Sequence, residues 1–335
     1  MPRRNSVPPN VAEFTPAWWL SNPHLQTLWG KFLRRQPAHP TRLERINTPD
    51  GDFLDIHHLD APAGAPLLVL LHGLEGSIRS HYIKALLGEA SRRGWHAAVL
   101  IFRSCGDELN RTRRFYHSGE TTDIAFAIDY LLSAFPESDM VCAGVSLGGN
   151  VLLKYLGERG SDVSPRLKGA VAVSVPFDLS RSARHIDQGF SKVYRRSFIN
   201  SLKRKATAKL KTFPDLASPE AVESAVTMVE FDDSFTAPVH GFRDAEDYYS
   251  RSSSIKWLSD ISVKTLLLSA VDDPFLPGQV LDDVRGIAGR NPALELEFTA
   301  RGGHVGFVGG RSPLEPVYYL EKRAGDFLAS QLDAS

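Results

Sequence analysis

Short apolar runs recur along the chain, and between them apolar residues fall at helical spacing. The runs are 66–71 (PLLVLL), 96–102 (HAAVLIF), 139–145 (DMVCAGV), 169–175 (GAVAVSV), 264–270 (KTLLLSA) and 293–299 (ALELEFT). Continuous runs of this length predict strands buried on both faces. Ile124, Ala127, Ile128, Leu131 and Leu132 repeat with helical period, as do Val151, Leu152, Tyr155 and Leu156. Val317, Leu320, Phe327 and Leu328 predict a last helix. Strands alternating with helices imply a mostly parallel sheet with right-handed crossovers. Ahead of them, 42–47 and 52–58 flank the turn TPDG and predict an antiparallel hairpin. The expected architecture is an eight-stranded, mostly parallel sheet flanked by helices.

One gap breaks the rhythm. About 90 residues separate the run ending at 175 from the run starting at 264, too many for a structureless loop in a compact domain. Their helical character predicts a helical cap inserted at 179–245, followed by a core helix near 245–259. The core then comprises 41–178 and 246–335. Residues 1–40, rich in Pro, Trp and Arg without clear periodicity, predict an N-terminal arm lying over the core.

Composition narrows the classes. Lys and Arg together number 39, as do Asp and Glu, so the formal net charge is zero. That balance supplies no global field for nucleic acid. Two cysteines, Cys105 and Cys142, make no disulfide framework and fit a reducing, cytoplasmic setting. The N-terminus has charge but no apolar run behind it, unlike a secretory signal. No run approaches the ~20 residues that cross a bilayer. There is no P-loop, no GxGxxG after a strand and no clustered spacing of metal ligands. Neither cofactor nor metal is expected.

Candidate chemistry begins at GVSLGGN, residues 144–150, which contains G-x-S-x-G centred on Ser146. A buried-strand pattern precedes it and an amphipathic helix follows. That is the context in which a serine is held on a sharp strand-to-helix turn with its oxygen clear of the sheet. A serine hydroxyl is a poor nucleophile at neutral pH and needs a base, which in turn needs an orienting carboxylate. Three histidines lie downstream: His185, His240 and His304. The first two fall in the expected cap. His304 follows the last strand run within ARGGHVGF, where Gly302 and Gly303 allow a loop to return over the sheet. For the acid, LLLSAVDDPFLP places Asp272 and Asp273 just past a strand. Asp273, three residues beyond Ala270 and four before Pro277, is the preferred acid, and Asp272 stays open as the alternative or as a cap of the turn. An oxyanion hole needs two backbone donors. Leu147 N–H follows the nucleophile, and Leu74 N–H lies in LLHGLEGS after the third strand. His72 reads as a structural residue beneath that loop.

These residues resemble the YheT-like branch of the α/β-hydrolase fold. The resemblance runs from about Asn22 to the C-terminus. It is carried by NPHLQTLW (22–29), HGLEGSIRSHYI (72–83), FRSCGDELNRTRRFYHSGETTD (102–123), GVSLGGNVLLKYLGE (144–158), FDDSFTAPVHGFRDAEDYY (231–249), DDPFLP (272–277) and GGHVGF (302–307). It implies a Ser146–His304–Asp273 triad and a carboxylesterase acting on small acyl esters or lipids. Eukaryotic relatives that transfer acyl groups to alcohols or cleave phospholipids make an acyltransferase the alternative. A silent hydrolase fold used for binding is a second alternative, which the intact triad opposes. The family tends toward Arg-Gly-Cys where this chain has Arg103-Ser104-Cys105, in a loop expected to line the pocket.

The segment 181–211 holds ten Lys or Arg against one acid, Asp187. It reads as a solvated face of cap helices, or as a patch drawn to anionic lipid or acyl-CoA phosphates, which leaves room for peripheral membrane contact. Arg111, Arg113 and Arg114 carry the same two readings. Trp18, Trp19 and Trp29 read as packing within the arm. Oligomeric state is not legible.

Overall fold

The computed structural model describes residues 14–34, 36–37 and 39–334. Of the arm expected over 1–40, residues 1–13, 35 and 38 therefore lie outside the described residues.

The sheet has eight strands in the order β1-β2-β4-β3-β5-β6-β7-β8. They are β1 (Arg42–Asn47), β2 (Phe53–Leu59), β3 (Leu67–Leu71), β4 (His96–Ile101), β5 (Met140–Val145), β6 (Leu167–Val173), β7 (Thr265–Ala270) and β8 (Leu294–Thr299). β2 runs antiparallel to both β1 and β4, and every pairing from β4 to β8 is parallel. All residues of β3, β4, β5 and β7 are buried. That accounts for their unbroken apolar runs: with helices on both faces, neither side of the strand meets water.

The helices are α1 (Pro23–Phe32), α2 (His81–Arg93), α3 (Thr122–Ala134), α4 (Leu147–Arg159), α5 (Leu179–His185), α6 (Lys192–Thr212), α7 (Pro219–Ser224), α8 (Met228–Phe231), α9 (Ala237–His240), α10 (Ala245–Ser252), α11 (Val280–Ala288) and α12 (Tyr319–Asp333). α2 packs on α12 across one face of the sheet, while α4 lies against β5 and β6 on the other. Between α8 and α9 the chain makes a π-helical turn, Asp232–Thr236. The segment between β6 and β7 is helical and carries no strand among its residues. Among the described residues, no helix is long and apolar enough to cross a membrane.

Two expectations need correction. The helix expected near 245–259 stops at Ser252. Beyond it, two short 3-10 turns follow, because Asn150 captures the backbone there: its Oδ1 accepts the Ser254 N–H at 2.9 Å and its Nδ2 donates to Ser252 O at 2.8 Å. Val317 belongs not to the last helix but to a small hairpin, β9 (Val308–Ser312) and β10 (Glu315–Tyr318). Trp19 and Trp29 stack edge to face at 4.7 Å. Their ring N–H groups donate to Gly310 O and the Tyr318 hydroxyl, and Trp18 donates to Arg311 O, so the tryptophans clamp this hairpin.

The loop after β4 is pinned by a buried cation. Arg103 bonds Asp123 through Nε at 2.7 Å and Nη2 at 2.8 Å, and Nη1 reaches Asp50 at 2.9 Å and Asp52 at 3.1 Å. Arg114 joins through Asp50 and Glu120, Arg113 pairs with Asp215, and Arg111 lies over the Phe53 ring. These arginines are thus engaged within the fold. Ser104 does not line the large cavity described below. It sits behind it, buried, with a left-handed backbone (φ 64°) and a hydroxyl that has no partner among the described residues. A glycine would relieve both costs. Left-handed backbone at a non-glycine residue costs ~1–2 kcal/mol and a buried unmet hydroxyl a similar amount, offset in part by glycine's larger unfolded-state entropy. Ser104→Gly is expected to stabilise the protein by about 1 kcal/mol, seen as a higher urea midpoint with unchanged slope.

Candidate active site

The parallel strands deliver their carboxyl-end loops to one edge of the sheet, the usual place for a site in such folds. Ser146 follows β5 and opens α4 with φ 55° and ψ −120°, a strained turn. Its N–H is fixed to Val173 O at 2.8 Å. The glycine two residues on is required by crowding: a Cβ on Gly148 would meet Leu71 O and His72 O at 2.5 Å. The first turn of α4 therefore lies directly on the end of β3, and its free N–H groups face the serine.

His304 comes from the loop after β8. Its Nε2 is 3.1 Å from Ser146 Oγ and its Nδ1 2.8 Å from Asp273 Oδ2. Asp273, after β7, is fully buried at its side chain and accepts the Phe275 N–H on Oδ1 at 2.8 Å. With the carboxylate accepting at Nδ1, that nitrogen carries the proton and Nε2 is left to accept from the serine. The Phe275 ring stacks on the imidazole at 4.1 Å between centroids, closing one face of it to water. The structure thus brings Ser146, His304 and Asp273 together. His185 is half-buried on α5, and His240 is half-buried against His117 with rings 4.5 Å apart. Burial pushes His240 down to about 3, so it stays neutral.

The His304 loop is held from three sides. Asp272 Oδ1 accepts the N–H groups of Gly302 and Gly303, both at 2.9 Å, and so caps the turn, one of the two roles the sequence leaves open for it. Ser174 Oγ accepts the Val305 N–H at 3.1 Å. The third support is α1: Thr27 Oγ1 accepts the His304 N–H at 2.9 Å, and Gln26 bonds both N–H and C=O of Val308 at 2.9 Å. This gives the NPHLQT segment a physical role. Its Gln and Thr replace the ladder partners that the chain around His304 lacks. Sequence reasoning singled out the segment but not these two residues, because the contacts span about 280 positions.

The loop after β3 is equally fixed. His72 is wholly buried; its Nδ1 donates to Gly73 O at 2.8 Å and its Nε2 accepts the Phe102 N–H at 3.1 Å. Both nitrogens are used, and burial pushes the ring down to about 4, so it acts as a neutral brace. The Tyr82 hydroxyl accepts the Gly73 N–H at 2.9 Å. Leu74 and Leu147 both border a cavity of about 950 Å³ that also contains Ser146 and His304. As first residue of α4, Leu147 has an N–H that the helix leaves unpaired. Ile186, Phe198, Leu202 and Phe275 supply apolar walls.

Four of the ten basic residues in 181–211 form ion pairs. Arg181 pairs with Asp178 and Asp283, Arg184 with Glu246, Arg195 with Asp187 and Lys205 with Glu75. Lys209 is buried and donates to Asn110 O at 2.8 Å. Cys142 lies inside β5, and burial pushes the thiols of both Cys105 and Cys142 up to about 12, which leaves them protonated and unreactive.

A strained serine at a strand–helix turn, bonded to a histidine and through it to a carboxylate, on a sheet of this order, is the arrangement of an α/β hydrolase. A family model described as alpha/beta hydrolase fold matches residues 66–310, and the chain belongs to that family. Within it the chain falls in the YheT branch. It is 40% identical over 96% of its length to YheT of Escherichia coli strain K12, a protein provisionally named an esterase, and covers 95% of that protein. It is 29% identical to a mouse protein named phospholipase ABHD3, over 92% of this chain and 77% of the relative. A Saccharomyces cerevisiae protein named monoacylglycerol lipase is 32% identical over 76% of this chain and 57% of the relative. Among solved structures, the Pyrococcus furiosus esterase Pf2001 superimposes with a TM-score of 0.56 at 17% identity, covering 89% of this chain and 98% of that one, which shows the shared fold.

Proposed function

We propose that this chain is a serine carboxylesterase that hydrolyses acyl esters, lipid esters among them, through an acyl-enzyme. The observation that carries the reading is the continuous line Ser146 Oγ–His304 Nε2–His304 Nδ1–Asp273 Oδ2, at 3.1 and 2.8 Å, opening on an apolar-walled cavity. His304 takes the hydroxyl proton as Ser146 Oγ attacks the ester carbonyl. The tetrahedral oxyanion is held by the N–H groups of Leu74 and Leu147. Asp273 fixes the tautomer and stabilises the imidazolium, which protonates the departing alcohol. Water, deprotonated by His304, then attacks the acyl-enzyme; the acyl–Oγ bond breaks, the imidazolium returns its proton to Ser146 Oγ and the acid leaves. Residues 179–245 serve as the cap of this site, with Ile186, Phe198 and Leu202 receiving the acyl chain. Relatives named as esterase, monoacylglycerol lipase and phospholipase support ester chemistry and a lipid-like substrate.

A p-nitrophenyl ester series from acetate to palmitate tests the reading. The expected outcome is turnover with an optimum above acetate, since a cavity of about 950 Å³ leaves an acetyl group mostly unpacked. Absence of turnover across the whole series would count against it.

A further inference from the structure

We propose that Glu75 is a positioning residue that ties the cap helix α6 to the oxyanion loop, so that an acyl chain packed against α6 steadies the Leu74 N–H. The inference rests on the acyl-transfer reading above.

Glu75 directly follows Leu74, the expected oxyanion donor. Its backbone is left-handed, with φ 54°, a conformation disfavoured for any residue bearing a Cβ. The turn therefore needs an external hold, and three side chains supply it. The Tyr116 hydroxyl accepts the Glu75 N–H at 3.1 Å and donates to Oε1 at 2.7 Å, closing a ring around the residue. Lys205 Nζ donates to the same Oε1 at 2.7 Å. The Ser201 hydroxyl donates to Oε2. Ser201 and Lys205 stand one turn apart on α6, so the carboxylate is gripped along a single helix face. The pair is shielded: the Glu75 side chain is only 8% exposed and that of Lys205 23%. A shielded charge-assisted contact is stronger than an exposed one and holds geometry better.

The same helix turns Tyr194, Phe198 and Leu202 toward the cavity. One face of α6 thus touches whatever fills the cavity, and an adjoining face holds the residue next to the oxyanion donor. No other carboxylate does this among the described residues: Asp273 and Asp272 serve the histidine loop, and Asp232 is bound within the cap by Thr236 and Tyr249. Since a donor misplaced by a fraction of an ångström loses much of its effect, filling of the cavity is expressed in kcat as well as in KM.

The experiment compares p-nitrophenyl acetate and octanoate on wild type, Ser146→Ala, Glu75→Gln, Ser201→Ala and Lys205→Gln, with thermal unfolding of each. Glu75→Gln keeps size and one oxygen but removes the charge. The expected result is a kcat for octanoate lowered about tenfold, KM within twofold, and a flattened ratio of octanoate to acetate. Ser201→Ala, which leaves the ion pair intact, shows the same flattening at about threefold, and so keeps the test open should Glu75→Gln unfold. Lys205→Gln combined with Glu75→Gln adds little to either alone, since both act through one contact. A Glu75→Gln protein that is folded and retains wild-type kcat for both esters overturns the proposal, as does a Ser201→Ala protein with an unchanged ratio if Glu75→Gln fails to fold. If wild type is silent or Ser146→Ala is equally active, the acyl-transfer reading fails and takes this proposal with it. An active wild type, a dead Ser146→Ala and an unaltered Glu75→Gln sink the latch alone.

Discussion

Replacing Ser146 with alanine is expected to lower kcat for p-nitrophenyl esters by about 10⁶, with little change in thermal stability. The serine Oγ is the single atom placed both against His304 Nε2, at 3.1 Å, and at the N-terminus of α4. Without it the proposed acyl-enzyme cannot form. What remains is whatever the proposed Leu74 and Leu147 donors do for water attacking unaided, roughly 10³–10⁴ over solution. Stability is spared because the backbone strain at φ 55° is the same for alanine, and the half-buried hydroxyl has its listener in the imidazole rather than in the core. Steady-state assays beside circular dichroism of the variant check both parts. A loss smaller than tenfold would place the nucleophile elsewhere.

Asp273→Asn is expected to lower kcat by about 10⁴, and the surroundings of the carboxylate say why. Oδ1 accepts the Phe275 N–H at 2.8 Å while Oδ2 accepts from His304 Nδ1 at 2.8 Å. An asparagine has one oxygen, and the backbone N–H of Phe275 claims it. The amide NH₂ then faces Nδ1, which must turn from donor to acceptor. The histidine shifts its proton to Nε2 and presents a donor to Ser146 where an acceptor is needed. The variant should therefore fold, bind substrate with near-normal KM and fail in the chemical step. The same substitution at Asp272 should cost far less, because that carboxylate serves only the Gly302 and Gly303 N–H groups. Equal losses at the two positions would mean that the histidine loop, not its tautomer, limits the rate.

Much of this architecture is legible in the sequence because burial on both faces writes itself as continuous apolar runs. Each of the six runs read from 66 to 299 coincides with a strand to within about two residues. The β9–β10 hairpin is not legible. Val308-Gly309-Gly310 shows no alternation, and the hairpin exists because three tryptophans and Gln26 clamp it from a distant segment. Val317 mimics helical spacing with Leu320 because strand and helix abut at Tyr318 and Tyr319. Within the site, Ser146, Asp273 and His304 could be picked out because each sits at a strand end in a recognisable local context. Thr27, Gln26, Ser174 and Glu75 could not, since what they do depends on contacts between elements far apart in the chain. The loop after β4 does reach the cavity, through Phe115, Tyr116, His117 and Ser118. Its first residues, Ser104 among them, stand off the cavity because Arg103 and its carboxylates hold them within the fold.

The most direct test of the central claim is covalent trapping. The native protein would be treated with a fluorophosphonate, which reacts with a serine only where a base and an oxyanion hole activate it. The adduct would be counted by intact mass and located by peptide mapping. The account predicts one adduct per chain, on Ser146, with reaction slowed at least a thousandfold in Asp273→Asn in keeping with the loss of the correct tautomer. A folded wild-type protein that takes up no label, or takes it up on another residue, would contradict it.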